Sequence, residues 1–273
     1  MIIAVDVGSA NTIVASLNKN GEIINHIKMA TPNSATDATD VITAAIASQF
    51  SKLNFDQIIV GVPGPVKDNR VAWCSNLDDN WDNFDLAGAL QSTFEVPVTL
   101  ENDANLAGLA EVDALAQTPR SAVYLSIGAG IGSSIIIDGK LVKGLLNSEA
   151  GMTELEYDGK IRTWESFASG KAIYEAYDKL AEEITSRRIW QAITDRIARG
   201  LLVLVPIIQP ELIIIGGSMG MSFSKYGPLL NDLLDEKLPI KLDRPRIIAA
   251  SQPDLAVIYG IGIYERTILR KQS

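Results

Sequence analysis

Residues 96–111 read VPVTLENDANLAGLAE, an apolar run that stops abruptly at Glu-Asn-Asp-Ala-Asn and continues with the spacing of a helix. The stretch predicts a buried strand followed directly by a helix, as in an α/β fold. Where the strand stops, the amide of Asn102 lies between the carboxylates of Glu101 and Asp103. From the residues alone, Asn102 and Asp103 either cap the helix or act on a ligand at the strand's end.

Composition limits the class of protein. The chain has 273 residues, of which 47% are hydrophobic and 21% charged, so it can form one large domain or two medium ones. Its net charge of −9 argues against a nucleic-acid groove or an anionic membrane surface as partner. Such a chain can still bind phosphate groups through local backbone N–H groups.

Cysteine content and hydropathy favour a cytoplasmic protein. Cys74 is the only cysteine, so no intrachain disulfide can form and a reducing compartment is expected. The first ten residues, MIIAVDVGSA, lack a basic region followed by a long apolar stretch and do not resemble a signal peptide. The most apolar stretch, 201–215, is interrupted by two prolines, a glutamine and a glutamate, so it does not predict a membrane span.

The order of the predicted elements indicates a mixed α/β sheet in each half of the chain. Three antiparallel strands are predicted first, followed by strands that alternate with helices. The second half begins with the same strand–glycine turn–strand order, a weak internal repeat that predicts two similar lobes. We expect a smaller lobe of residues 1–107 with 258–273 and a larger lobe of 108–257. Helices are predicted over about 37–53, 86–94, 165–182, 188–205, 225–236 and the final stretch from 256.

The first glycine turn, VDVGSANT (5–12), has features of a phosphate site. Asp6 lies at the end of a strand, and Gly8 with Ser9 begins a hairpin turn. Glycine permits close backbone approach, while Ser9 and Thr12 offer hydroxyl donors to phosphate oxygens. Asp6 is a candidate ligand of a magnesium ion, directly or through water. An ordinary hairpin turn is the alternative for this stretch.

Two further glycine turns follow strands, in SIGAGIGSS (126–134) and PELIIIGGSMG (210–220). A strand rather than a helix follows the first of them, so the dinucleotide-binding fingerprint is rejected. At the second, a flat group such as adenine can lie against the backbone. Each turn alone could be structural, but three in one chain predict a nucleotide cleft. The glycines concerned are Gly128, Gly130, Gly132, Gly216 and Gly217.

The motifs VDVGSANT, VPGPV, LENDANLAGLAE, SEAG, WESFASGKAI and QPELIIIGG resemble, in this order, those of ROK proteins (repressor, open reading frame, kinase). These are sugar kinases and their relatives in the actin/hexokinase superfamily, and the resemblance spans nearly the whole chain. It implies two α/β lobes of the actin-like ATPase (ribonuclease H-like) fold, with mixed sheets and a central cleft. Because the sequence starts at the first strand, without a helix-turn-helix, we expect the kinase branch.

The resemblance also implies a reaction. The γ-phosphate of Mg-ATP would pass to a hydroxyl of glucose or a related hexose, with Asp103 accepting the hydroxyl proton and Asn102 binding the sugar. Further sugar contacts are expected from Gly64, Glu149 and Glu165, and a solvated surface position is the alternative for each glutamate. The nucleotide side, with Asp6 as the magnesium ligand, would comprise Asp6, Gly8, Ser9, Thr12, Gly128, Gly130, Gly132, Gly216 and Gly217.

Some positions depart from the family pattern. Met152 stands where many relatives have a histidine, and no cysteine cluster follows, so a zinc site is rejected. Ala10 and Ala129 stand where threonine is usual. These departures leave a catalytically weak sugar-sensing or regulatory protein as an alternative function. In lacking the zinc cluster, the chain also resembles the polyphosphate-using glucokinases of the family. ATP is the expected donor, a homodimer is expected by resemblance, and no role is assigned to Glu101 or Asn105.

Overall fold

The computed structural model of the chain describes residues 1–252 and 254–270. The chain divides into two compact units, one formed by Met1–Ala110 with a returning segment that starts at Leu255, the other by Glu111–Asp254. Within the described ranges, each unit has its own five-stranded mixed sheet and its own hydrophobic core. The predicted α/β fold class is therefore confirmed.

The first unit is organised around parallel strands with an antiparallel meander on one side. Its elements in chain order are β1 (Ile2–Val7), β2 (Asn11–Leu17), β3 (Ile23–Ala30), α1 (Ala35–Gln49), β4 (Gln57–Val62), β5 (Val66–Lys67), β6 (Arg70–Val71), α2 (Leu86–Phe94), β7 (Val98–Asn102) and α3 (Asp103–Asp113). The strand order is β3-β2-β1-β4-β7, with β1, β4 and β7 parallel to one another. Because β1 and β4 lie inside the sheet and are buried along most of their length, their sequences are almost wholly apolar.

The second unit repeats this arrangement with different connections. Its elements are β8 (Ser121–Ile127), β9 (Ile131–Ile137), β10 (Lys140–Leu141), β11 (Glu154–Tyr157), β12 (Lys160–Thr163), α4 (Glu165–Ala168), α5 (Gly170–Tyr177), α6 (Arg187–Ile208), β13 (Leu212–Gly216), α7 (Gly217–Met221), α8 (Phe223–Lys237) and β14 (Arg246–Ala249). The strand order is β10-β9-β8-β13-β14, in which β8, β13 and β14 are parallel. The antiparallel pair β8–β9 is joined at the glycine turn 128–130.

The most apolar stretch of the sequence is split between a helix and a strand. α6 ends at Ile208 because Gln209 adopts a left-handed conformation, with φ of 48°, and Pro210 follows it. The remaining apolar residues then form the buried strand β13. Across residues 1–252 and 254–270, every helix is either too short or too polar to cross a membrane.

Helix α9 (Ala256–Tyr264) returns the chain to the first unit, where it packs on β1 and β4 and approaches α3 at Gly260. A β-carbon at Gly260 would overlap the carbonyl oxygen of Leu106, so only glycine fits at this contact. A π-helical turn, Glu265–Leu269, follows α9 where a continuous helix was predicted. The last three residues of that predicted helix, 271–273, lie outside the described residues.

Local hydrogen bonding explains where the predicted elements were wrong. The single helix predicted over 165–182 is two helices, α4 and α5, because Ser169 is extended and its hydroxyl accepts the N–H of Ala172 to begin α5. The hairpins β5–β6 and β11–β12 were not predicted. The second of these turns on Asp158 and Gly159, both with positive φ, which is the Asp-Gly signature of a tight hairpin.

We predict that Gly260→Ala lowers the free energy of unfolding by about 1–3 kcal/mol, because the added methyl must push α9 away from α3. Denaturant unfolding of the variant measures this loss. Gly144→Ala is the matched control, since a β-carbon there meets open space. Equal stabilities of the two variants would show that the close approach of α9 and α3 contributes nothing.

Candidate active site

Parallel pairing brings several predicted site residues to one edge of the first sheet. Asp6 of β1 lies opposite Gly61 of β4, and Asn102 of β7 lies opposite Val62. The carboxyl ends of parallel strands meet at the same edge of a sheet. Asp103 begins α3 directly after β7, so it stands at that edge too.

The amide of Asn102 joins the loop after β4 to the start of α3. Its Nδ2 donates to the carbonyl oxygen of Gly64 at 2.9 Å, and its Oδ1 accepts the backbone N–H of Asn105 at 3.1 Å. Gly64 has φ of +102°, and a β-carbon there would overlap the carbonyl of Trp73. The capping contact considered from the sequence is therefore present at Asn102, and the same side chain positions Gly64.

Two carboxylates at this edge are difficult to ionise. Burial raises the pKa of Asp103 to about 6, although the N–H of Ala104, 2.7 Å from its Oδ1, acts in the opposite direction. Burial, reinforced by the charge of Asp103, raises the pKa of Asp6 to about 8, and Lys28 partly offsets this. An acid in such surroundings favours a proton or a cation next to it, which suits proton transfer and metal binding.

Glu101 has a positioning role that the sequence did not predict. Its Oε1 accepts the backbone N–H of Asn102 at 2.8 Å and Nδ2 of Asn105 at 2.9 Å, and the hydroxyl of Tyr264 also bonds to this carboxylate. Burial raises the pKa of Glu101, while these hydrogen bonds lower it. The sequence carried no signal for the contact of Glu101 with Asn105, because the four-residue spacing rule holds within a helix, while Glu101 lies in the strand β7 and Asn105 in α3. Together they fix the backbone that carries Asn102.

The first glycine turn is tight, and one of its predicted phosphate donors is already bonded. The N–H of Gly8 donates to the carbonyl of Asn11 at 3.0 Å, and a β-carbon on Gly8 would lie 2.8 Å from the same oxygen. Thr12 is 1% exposed, and its Oγ1 lies 2.8 Å from Oγ1 of Thr31. Ser9 is half-buried and lies within the turn itself. Thr12 thus joins β2 to the segment after β3.

The other two glycine turns meet in the second unit. Gly216 pairs with Ser126 of β8, and Gly217, with φ of +68°, packs against the backbone of Ile127. The N–H of Gly128 donates to the carbonyl of Gly130 at 2.9 Å, which closes the turn. Gly132 lies beyond the turn, inside β9.

A cavity of about 320 Å³ opens beside these turns. Gly128 and Gly170 leave the backbone bare on one part of it, and the N–H of Lys171 donates to the carbonyl of Gly128 at 3.2 Å. Exposed apolar side chains and a few polar ones complete the lining, so the cavity suits a flat group with polar edges. These lining residues are Ala129, Lys171, Tyr174, Leu180, Ala181, Glu182, Ser218, Met221 and Ser222.

The two predicted sugar-binding glutamates lie near one end of β9. Oε2 of Glu165 accepts the N–H of Ile131 at 3.1 Å, and a β-carbon on Gly151 would lie 3.2 Å from the same oxygen. Glu149 directly precedes the 3₁₀ turn Ala150–Met152, and the hydroxyl of Ser133 holds this segment by accepting the N–H of Ala150 at 3.0 Å. Glu149 and Glu165 are thus both anchored to β9.

A larger cavity, about 450 Å³, lies at the opposite edge of the second sheet. It is lined by residues 115–119 with Glu211, Leu212 and Arg246, none of which was predicted to bind a ligand.

In the part of the chain that the structure describes, no cluster of three or more His, Cys, Asp or Glu side chains could hold a metal ion.

The sequence and the fold both have close counterparts among known proteins. Residues 2–264 match the model of the ROK family. A putative fructokinase of Bacillus subtilis (strain 168) is 26% identical over 236 residues, covering 80% of this chain and 77% of the relative.

Two solved structures superpose on nearly the whole chain. A ROK family glucokinase from Streptomyces griseus, in complex with glucose and AMPPNP, is 23% identical with a TM-score of 0.82, covering 97% of this chain and 99% of the other. An inorganic polyphosphate/ATP-glucomannokinase from Arthrobacter sp. strain KM is 27% identical with a TM-score of 0.78, covering 100% and 99%. The predicted actin-like ATPase fold is thereby confirmed.

We predict that Glu101→Ala lowers the free energy of unfolding by about 2–4 kcal/mol, because buried donors of Asn105 and Tyr264 lose their acceptor. Glu101→Gln, which keeps one acceptor oxygen, should lose about 1 kcal/mol. Denaturant unfolding measures both, with Glu154→Ala as the control because Glu154 is exposed. A Glu101→Ala protein as stable as the control would exclude the positioning role.

Proposed function

This chain belongs to the ROK family, and we propose on that basis that it is a sugar kinase that transfers the γ-phosphate of ATP to a hydroxyl of glucose or a related hexose. The observation that carries the proposal is Asp103, a carboxylate with a pKa raised to about 6 at the carboxyl edge of parallel strands. A general base works best when its pKa lies near the working pH. The names of the similar proteins, a fructokinase, a glucokinase and a glucomannokinase, point to hexoses.

Asp103 would act on the acceptor hydroxyl. The hydroxyl oxygen attacks the γ-phosphorus, the bond from phosphorus to the β–γ bridging oxygen breaks, and Asp103 takes the hydroxyl proton while ADP leaves. Asn102 and Gly64, held together by their 2.9 Å hydrogen bond, would orient the sugar beside it. Positioning and proton transfer of this kind are worth about 10²–10⁴-fold in rate.

Glu149 and Glu165 would accept hydrogen bonds from sugar hydroxyls. The anchoring of Glu165 to the N–H of Ile131 supports this role, because a carboxylate held by one bond keeps a second oxygen for a ligand. Met152, at the end of the 3₁₀ turn after Glu149, cannot donate the hydrogen bond that a histidine would.

The glycine-lined cavity of the second unit would hold the nucleoside of the donor. Its volume of about 320 Å³ and the apolar side chains of Tyr174, Leu180 and Met221 suit an adenine ring, and inorganic polyphosphate has no group to fill it. Gly216 and Gly217, assigned to the nucleotide side from the family motif, do not line the cavity themselves but directly precede Ser218, which does. This cavity favours ATP over polyphosphate as the donor.

Asp6 would hold the magnesium ion that accompanies ATP. Magnesium in phosphoryl-transfer sites is typically bound by one or two carboxylates together with substrate phosphates and water, so the single, half-buried carboxylate of Asp6 fits. Burial raises the pKa of Asp6 to about 8, and a cation bound beside it would favour the charged form. The ion would neutralise charge on the phosphate oxygens during transfer. Gly8 and Ser9 would offer the turn's backbone and hydroxyl donors to phosphate.

We predict that Asp103→Asn lowers kcat/KM by at least about 10²-fold, because an amide cannot accept the proton. The measurement is ADP release with Mg-ATP against glucose, mannose, fructose, N-acetylglucosamine and N-acetylmannosamine. Asp113→Asn is the matched control, since Asp113 lies exposed at the other end of α3. Wild-type activity in Asp103→Asn would exclude Asp103 as the base. If the wild-type protein transfers phosphate to no sugar, from either ATP or polyphosphate, the proposed reaction is overturned in favour of a sugar sensor.

We also predict that kcat/KM for the hexose, at saturating Mg-ATP, rises with pH and levels off above an apparent pKa near 6. The base must be ionised to accept a proton, so activity is lost as the pH falls through the pKa of Asp103, about 6. Initial rates between pH 5 and 8.5 test this. A profile that stays flat down to pH 5 would show that no group with this pKa is required.

A further inference from the structure

Lys225, in the first turn of α8, makes an unusual set of contacts. Its Nζ donates to three backbone carbonyl oxygens, those of Ala181 at 3.3 Å, Glu182 at 2.8 Å and Ile184 at 3.3 Å. An ammonium group has three N–H donors, so this one is fully used on a single short segment. The same Nζ lies 5.6 Å from the centre of the Trp190 ring, within the range of a cation–π contact.

The carbonyls that Lys225 binds belong to a wall of the nucleoside cavity. Leu180, Ala181 and Glu182 line that cavity, and Met221 and Ser222 line another part of it. Lys225 follows Ser222 by three residues. It therefore connects the segment 180–184 to the chain that forms a different wall, while not lining the cavity itself.

The segment 180–184 is packed into the core at Ile184, which is 1% exposed, and at Ala181, whereas Leu180 and Glu182 are exposed. It links α5 to α6 through the 3₁₀ turn Ala181–Glu183, and the side chain of Leu180 is 51% exposed. Within the segment, Oε2 of Glu183 accepts the N–H of Leu180 at 2.8 Å, and the carbonyls of Leu180 and Ala181 accept the N–H groups of Glu183 and Ile184 at 2.9 and 3.3 Å. The carbonyl of Ile184 also accepts Nε1 of Trp190 at 3.0 Å. The bonds within the segment do not join it to the rest of the unit, whereas Lys225 joins its cavity-lining part, at Ala181 and Glu182, to α8.

We propose that Lys225 is a positioning residue for the phosphoryl donor, which sets the width of the nucleoside cavity by fixing segment 180–182. The inference rests on the proposed function, because it takes the cavity to be the site of the ATP base. Lys225 contacts no part of the nucleotide and acts through Leu180 and Glu182. Its loss should weaken the binding of a base-bearing donor while leaving the sugar side unchanged.

The test compares Lys225→Met with Lys237→Met by steady-state kinetics. Methionine keeps the length and apolar stem of lysine but offers no donor to the three carbonyls. Lys237 is the last residue of the same helix, where its Nζ lies 2.8 Å from Glu236, so it controls for the loss of one lysine from α8. We expect KM for Mg-ATP to rise about tenfold in Lys225→Met alone, with kcat and the hexose KM within about twofold of the wild type. Lys225→Arg, which restores several donors, should recover most of the ATP affinity.

Two kinetic outcomes would overturn the proposal. One is a KM for Mg-ATP in Lys225→Met equal to that of Lys237→Met. The other is a parallel loss in kcat and in both KM values together with a lower unfolding temperature, which would make Lys225 a general stabilising residue.

Calorimetric binding of ADP and pyrophosphate to the same variants separates this inference from the proposed function. If the wild type transfers no phosphate to any sugar, the proposed function fails, yet weaker ADP binding in Lys225→Met with unchanged pyrophosphate binding still supports the positioning role. Equal ADP affinities of the two methionine variants, or a wild type that does not bind ADP, would overturn it.

Discussion

The parallel pairing of β1, β4 and β7 is the constraint on which the first unit depends. It places the carboxyl ends of three buried strands at one edge of the sheet. Asp6 pairs there with Gly61, and Asn102, which directly precedes Asp103, pairs with the next residue of β4, Val62. Nothing in the amino-acid identity of Asp6 requires it to lie near Asp103, since 96 residues separate them in the chain. The sheet supplies this proximity, and the close contact of α9 with α3 at Gly260 fixes the helix that begins with Asp103.

Three carboxylates lie at this edge, Glu101 buried and Asp6 and Asp103 half-buried, and their surroundings differ. Glu101 is compensated by donors from Asn102, Asn105 and Tyr264, so it can remain a fixed part of the framework. Burial raises the pKa of both Asp103 and Asp6. The hydrogen bond from the N–H of Ala104 lowers the pKa of Asp103, and the positive charge of Lys28 lowers that of Asp6, but neither offsets the effect of burial. A carboxylate without full compensation destabilises the fold but keeps its capacity to bind a proton or a cation. Their unequal environments separate a structural acid from two acids suited to chemistry.

Prediction from the sequence succeeded where local and global signals agree. Helix α2 was predicted over 86–94 and observed at Leu86–Phe94, because Asp85 caps its start and Glu95 ends it in a left-handed conformation. The single helix predicted over 165–182 was wrong. The helical periodicity continues through Ser169, but the hydroxyl of Ser169 accepts the N–H of Ala172 and so caps α5 where α4 ends. The role of Glu101 was missed because one of its partners, Tyr264, lies 163 residues away in sequence. The residues taken from the family motifs stay predictions until variants are measured.

The motifs in the sequence indicate only part of the lining of the cavity of about 320 Å³ proposed for the nucleoside, for a physical reason. Four separate segments line it. Gly128, Ala129 and Ser218 belong to the glycine turns singled out in the sequence, while Tyr174, Leu180 and Met221 are ordinary residues of a helix, a connection and a helix end. Van der Waals contact with a flat ring needs shape rather than particular functional groups, so it leaves no spacing rule in the sequence. What such a cavity does need is a fixed width. If the cavity holds the base of ATP, Lys225 would provide that width through its three bonds to the backbone of one wall, at a position that no ligand-binding pattern would select.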